Sequence, residues 1–249
     1  QAGIVFEEVR VRFDSFDAQS EFKRTIGAVS PTAKVPVLVD GDLVVWDTLA
    51  IAEYAAETHP DKTLWPTDAK ARARARSICA EMHSGFTALR SHCPMNIEAL
   101  LPDTGALIWR DQPGVRADVQ RLVEMWGALL QEHGGPMLFG QFTVADAYFA
   151  PVCMRLHTYA LPMPPHIAAY VQRVRALPGV KAWIDGDAER KKKYGGVLEK
   201  MEGAVDGLPQ RSLFIDDAAS GGQHHLGVRP VFLERQSDRD RRRRAARRG

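Results

Sequence analysis

The sequence predicts an α/β part over residues 1–60, a connector over 61–68 and an all-helical domain over 69–195. Three observations carry this. In KVPVLVDGDLVVWDT (34–48), two short apolar runs flank Asp40-Gly41, the pattern of a tight hairpin, and Asp47-Thr48 then opens a stripe of helical period. The proline-punctuated HPDKTLWPTD (59–68) ends the alternation of strand and helix, and only helical periods follow it. Beyond Lys200 the apolar periodicity stops, so 196–249 reads as a disordered basic tail that ends RQSDRDRRRRAARRG.

Taken in order, Val5–Phe13 is rich in Val and Phe and predicts a strand. Gly3, just before it, reads as the end of a helix whose body lies ahead of Gln1. Asp17–Gly27 sets Phe22 and Ile26 one turn apart and predicts a short helix, punctuated by Ser30-Pro31. Val35–Val39 and Leu43–Trp46 are the hairpin strands, and Asp40-Gly41 tolerates the positive φ a tight turn requires. Leu49, Ile51, Ala52, Ala55 and Ala56 then form a helical stripe, capped by Asp47 or Thr48 and stopping near His59-Pro60. In the second part, Ala69 to about His92 predicts one long helix, Val115–Glu132 another and Val144–His157 a third. His166–Leu177 and Val180 to about Arg190 predict two shorter ones.

Composition excludes several classes. The formal charge of +2 hides an even balance: residues 201–249 carry ten Lys and Arg against seven Asp and Glu, leaving 23 against 24 for the first 200. The body is therefore near neutral, and the Arg-rich end lacks the aromatic interleaving or recognition module that a nucleic-acid partner would call for. No apolar run reaches the length of a membrane span, and the start has no signal-peptide pattern, which predicts a cytoplasmic protein. Cys79, Cys93 and Cys153 are widely spaced without a CxxC, which predicts reduced thiols and no metal site. Cys79 and His83 stand four apart on one helical face, but no third ligand lies near them in the sequence.

Pro36 lacks an amide for a sheet ladder, so it belongs at an edge or in a cis turn. A cis Val35-Pro36 bond turns the backbone of Val35 outward, toward an extended peptide that pairs as an added strand. The Asp47-Thr48 helix start, a few residues on, presents free N–H groups and the positive end of the helix dipole, which suit a carboxylate. Each feature alone has a plainer reading, an edge-strand proline or a cap. Together and in this order they suit a small acidic peptide.

At these residues the chain resembles the cytosolic glutathione S-transferase family. The resemblance rests on SPTAKVPVLVDGDLVVWDTLAIAEYAAE, continues through LWPTDAKARARAR, and extends over roughly residues 1–190. It implies a thioredoxin-like N-terminal domain followed by the helical domain, with glutathione as co-substrate and a homodimer as the assembly. It also implies the site: Val35, before the cis Pro36, pairs by its backbone with the cysteinyl part of glutathione. Asp47 and Thr48 hold the γ-glutamyl end, and Lys34 meets the glycyl carboxylate or is simply a solvated lysine. His83, Phe86 and Arg90 are implied to line the pocket for a small hydrophobic electrophile. FTVADAY (142–148) reads as a capping box, Thr143 with Asp146, and the family carries such a box as a fold-fixing element. Ala147 stands where the apolar staple of that motif is expected.

A transferase of this kind stabilises the thiolate of bound glutathione, because the thiolate is the nucleophile. The resemblance places the Tyr, Ser or Cys that does this near a first strand and helix ahead of QAGIVFEEV, so the sequence is expected to be an N-terminally incomplete copy and its catalytic residue is unknown. Two functions follow. One is a detoxifying glutathione transferase, complete only with that upstream segment; the other is a non-catalytic transferase-like binding or assembly module.

Overall fold

The computed structural model describes residues 1–11, 14–15, 17–97, 99–186 and, for the backbone, 229–233. The chain forms two compact units, Ala2–Ala73 with Leu226–Gly249, and Arg74–His225 with Gln1.

In the first unit, β1 (Glu7–Val11) is followed by α1 (Glu21–Gly27), β2 (Val37–Asp40), β3 (Leu43–Trp46) and α2 (Thr48–Thr58). Ser20 begins α1 by accepting the Lys23 amide at 3.1 Å, and Phe22 and Ile26 bury one face of the helix against Val37. Val11, Val35, Val39 and Val44 close over that core, so the hairpin and α1 share a single apolar seam. The turn lies one residue later than expected. Asp40 pairs with Leu43, which leaves Gly41-Asp42 as the loop, and Gly41 takes φ +63° as the first turn residue. Asp40 is free to act otherwise: its carboxylate accepts the Tyr54 hydroxyl at 2.7 Å and ties α2 to the hairpin.

The expectation of a disordered tail is corrected at Arg229–Leu233, which forms β4. β4 pairs antiparallel with β1, from Glu7 opposite Leu233 to Val11 opposite Arg229, and runs beside β2 without a ladder to it. The reason is non-local: an unpaired strand edge accepts any extended segment that satisfies its N–H and C=O groups, and Val231, Phe232 and Leu233 are acceptable strand residues. The rest of the expected tail lies outside the described residues.

In the second unit, the predicted long helix is two helices. α3 (Ala69–Ser84) ends at Gly85, whose amide donates to the Glu81 carbonyl at 2.7 Å, and Phe86 takes φ +56° before α4 (Thr87–His92). A Cβ on residue 85 would stand 2.6 Å from the Glu81 oxygen, so this stop requires glycine. The periodicity of 69–92 crosses it unbroken because α4 continues with its own buried Leu89. α5 (Pro102–Asp111), which the sequence reading missed, precedes α6 (Pro113–Glu132), and both begin on proline. α7 (Val144–Thr158) and α8 (Pro165–Ala176) match the predicted helices, and 178–186 is helical as well.

The core of this unit lies along α6 and α7. Val115, Val119, Leu122, Met125, Trp126 and Leu129 recur every three or four residues and are buried, each aliphatic member contributing about 1.5–3 kcal/mol of transfer free energy. Trp126 meets Phe149 and Tyr170 edge to face at 5.3 and 5.1 Å between ring centroids. On the outside, Arg121 clasps both Glu81 oxygens at 2.7 and 2.9 Å, joining α6 to α3. Among the described residues no helix is long and apolar enough to cross a membrane.

Candidate functional site

The site is built at the open end of the hairpin. The β2–β3 ladder begins with Val37 opposite Trp46, so Val35-Pro36, which leads into β2, and Asp47-Thr48, which follows β3, lie at the same end of the hairpin. The antiparallel pairing thus brings together two features separated by the whole hairpin. The Val35-Pro36 bond is cis, as expected. The Val35 side chain packs on the Phe22–Ile26–Val37 core, and its backbone lies just beyond the ladder.

Between β3 and α2 there is a single residue, Asp47, and it must turn the chain from strand to helix. It does so at φ +75° and ψ 135°, a conformation costing a residue with a Cβ on the order of 1–3 kcal/mol. Its carboxylate accepts the Leu49 amide at 2.8 Å and its carbonyl accepts the Ile51 amide at 3.0 Å. The cap that the sequence left open between Asp47 and Thr48 is therefore Asp47. Thr48 is half-buried, and among the described residues its hydroxyl has no hydrogen-bond partner. Lys34 is exposed, next to Ala33 and Val35 on the loop that enters β2.

Of the other predicted residues, His83 is exposed in the last turn of α3 and Phe86 is buried at the α3–α4 break. Arg90 is half-buried and donates back to the Met82 carbonyl and, at 3.7 Å, to the Met82 sulfur. Burial lowers its basicity, partly offset by the Asp118 carboxylate. Asp118 in turn accepts the Leu89 amide at 2.8 Å, so an acid from α6 caps α4.

The Thr143 and Asp146 pair forms its capping box in full. Asp146 accepts the Thr143 amide at 2.8 Å, the Thr143 hydroxyl at 3.3 Å, the Leu138 amide at 3.1 Å and the Tyr170 hydroxyl at 3.1 Å. Burial pushes its carboxyl upward while these donors pull it down. Ala147 is exposed, so the apolar staple is absent, and Tyr170 from α8 holds the box from the other side instead.

Sequence reasoning missed the side chains at the end of α7, and of Tyr159 just beyond it, that hold the segment after α4. Arg155 donates to the Cys93 carbonyl, Tyr159 to that of Pro94 at 3.2 Å and Thr158 to that of Asn96 at 2.6 Å. No local pattern signals these bonds, because their partners lie more than sixty positions away. All three cysteines are buried; desolvation pushes the Cys93 thiol up to about 12 and Cys153 higher still, so neither is a thiolate near neutral pH. No group of three or more His, Cys, Asp and Glu that would suit a metal occurs among the described residues.

Residues 1–57 match the family model described as glutathione S-transferase, N-terminal domain, and residues 68–186 match that for the C-terminal domain. The chain belongs to the glutathione S-transferase family. Its fold is the family's, a thioredoxin-like N-terminal part followed by an all-helical domain. Among curated proteins it is similar to a probable maleylacetoacetate isomerase of Caenorhabditis elegans, 29% identical over 170 residues, covering 66% of this chain and 75% of that protein. It is also 29% identical over 196 residues to glutathione S-transferase F14 of Arabidopsis thaliana, covering 74% of each. Among solved structures, glutathione S-transferase 1-6 from Anopheles dirus species B superposes with a TM-score of 0.53 at 22% identity, covering 74% of this chain and 86% of that one, a likeness of fold.

Proposed function

We propose that this protein binds glutathione at the open end of the hairpin and directs its thiolate at a small hydrophobic electrophile. The observation that supports the reading is that Val35, before the cis Pro36, and Thr48, whose hydroxyl has no partner among the described residues, lie at the same end of the β2–β3 hairpin. In this reading Val35 pairs with the cysteinyl unit as an added strand. The γ-glutamyl carboxylate takes the Thr48 hydroxyl and the start of α2, whose dipole favours an anion. Lys34 meets the glycyl carboxylate, and Asp47 fixes the helix start and faces the γ-glutamyl amine. The nucleophile is the sulfur of glutathione, in keeping with the buried, raised thiols of Cys93 and Cys153. The protein works as a cytoplasmic homodimer.

The similarity to a probable maleylacetoacetate isomerase favours a second outcome of the same chemistry. Thiolate addition to an activated double bond, followed by rotation and loss of the same thiolate, isomerises the substrate and returns glutathione unchanged. Titration calorimetry with glutathione tests the site, and turnover assays with an aromatic electrophile and with a cis-alkenoic keto acid separate the two reactions. Saturable binding without either turnover would leave a glutathione-binding module; absence of binding would sink the reading altogether.

A further inference from the structure

The geometry points to Lys23 as a positioning residue for the glycyl end of the glutathione site, acting through the backbone of Ala33. This rests on the glutathione reading above. Lys23 lies on the face of α1 next to the buried Phe22, and its ammonium donates to the Ala33 carbonyl at 3.1 Å. The loop it holds wraps the end of α1: Ser30 donates its amide to Ile26 at 2.8 Å, Ala33 donates its own to Ser30 at 3.1 Å, and the Ser30 and Thr32 hydroxyls are 3.1 Å apart. Ala33 closes this turn at φ +47°, a region that side chains other than Asn and Asp rarely adopt. An alanine stays there only if its surroundings hold it, and the Lys23 bond is one of the two that do.

The consequence passes down the chain by covalent geometry. The Ala33 carbonyl and the Lys34 amide belong to one planar peptide unit, so fixing the oxygen fixes the direction in which Lys34 leaves the loop. Next comes Val35, whose side chain is already set by the core. Lys23 therefore sets the direction in which the Lys34 backbone leaves the loop, and with it the region of space the Lys34 side chain reaches.

Glutathione and γ-glutamylcysteine, which lacks the glycine, separate this role from a general stabilising one. The wild-type chain should prefer glutathione by about tenfold, the order of one charge-assisted hydrogen bond. Lys23→Met keeps the apolar stem and removes the donor; it should cut that preference to about twofold or less while leaving γ-glutamylcysteine affinity near the wild-type value. Lys23→Arg should restore the preference, and Lys23→Leu gives the same comparison should the Met variant not fold. Equal weakening of both peptides, or an undiminished preference, overturns the proposal. Wild-type binding of both peptides with equal affinity overturns it through Lys34 while leaving the glutathione site standing, whereas binding of neither removes the site reading itself.

Discussion

The two helices that begin with a hydroxyl and an acid, α2 at Asp47-Thr48 and α7 at Thr143 with Asp146, use the same chemistry to opposite ends. At α7 the acid is fully buried and accepts four donors drawn from its own cap, from Leu138 and from Tyr170 on α8. At α2 the acid is exposed and caps its own helix through Leu49, while the neighbouring hydroxyl finds no partner among the described residues. A helix start satisfied from within serves the fold. The one whose hydroxyl has no partner among the described residues is where the proposed glutathione site lies.

The sharpest way to break this comparison is Asp146→Ala. It strands two amides and the Tyr170 hydroxyl in a dry interior, where each unsatisfied group costs about 1–3 kcal/mol, so urea unfolding should show a loss of about 3 kcal/mol or more. Any population that still folds should bind glutathione with unchanged affinity. Preserved stability would mean that the buried box contributes little and that the contrast is false.

Thr48→Ala is the corresponding test at the open end. Glutathione binding should weaken by about 1–2 kcal/mol, the contribution of one hydrogen bond to a charged group, with the unfolding midpoint unmoved. Calorimetry giving wild-type affinity would move the γ-glutamyl end elsewhere. Thr143→Ala, smaller again, should lower stability by about 1 kcal/mol and leave affinity alone. If Thr143→Ala lost affinity and Thr48→Ala lost stability, the two helix starts would have been assigned the wrong way round.

The weakest effect concerns the thiols. With its thiol held up at about 12 by burial, Cys93 should resist iodoacetamide in the native state at pH 8 and react only after unfolding. The sign is that of an acid held neutral: the folded state favours the protonated thiol, so this stability is present below the ordinary cysteine range and is lost as pH rises through about 12. Rapid native-state alkylation of Cys93 would show that this part of the helical unit opens readily.

Much of the molecule was legible because its signals are local. The hairpin follows from apolar runs around Asp40-Gly41, although pairing put the turn at Gly41-Asp42. The boundaries of α7 and the end of α6 before Gly134 follow from capping and terminating residues. The α3–α4 break was illegible in the stripe because Leu89 resumes it; only the close approach of Gly85 to the Glu81 carbonyl reveals why the helix must stop. At the site, sequence supplied Val35, Pro36, Asp47 and Thr48 together with the cis bond, but left the cap undecided between Asp47 and Thr48.

Sequence by itself determined the family, the order of elements and the residues that have the chemistry to hold a small acidic peptide, because period, turn residues and caps act over a few positions. Tertiary structure decided which polar groups remain open. Antiparallel pairing brings Val35 and Thr48 to the same end of the hairpin, Tyr170 closes Asp146, Lys23 holds Ala33, and β4 pairs with β1 from the far end of the chain. Whether a donor or acceptor is satisfied depends on partners brought near by folding, and distance along the sequence carries no record of that.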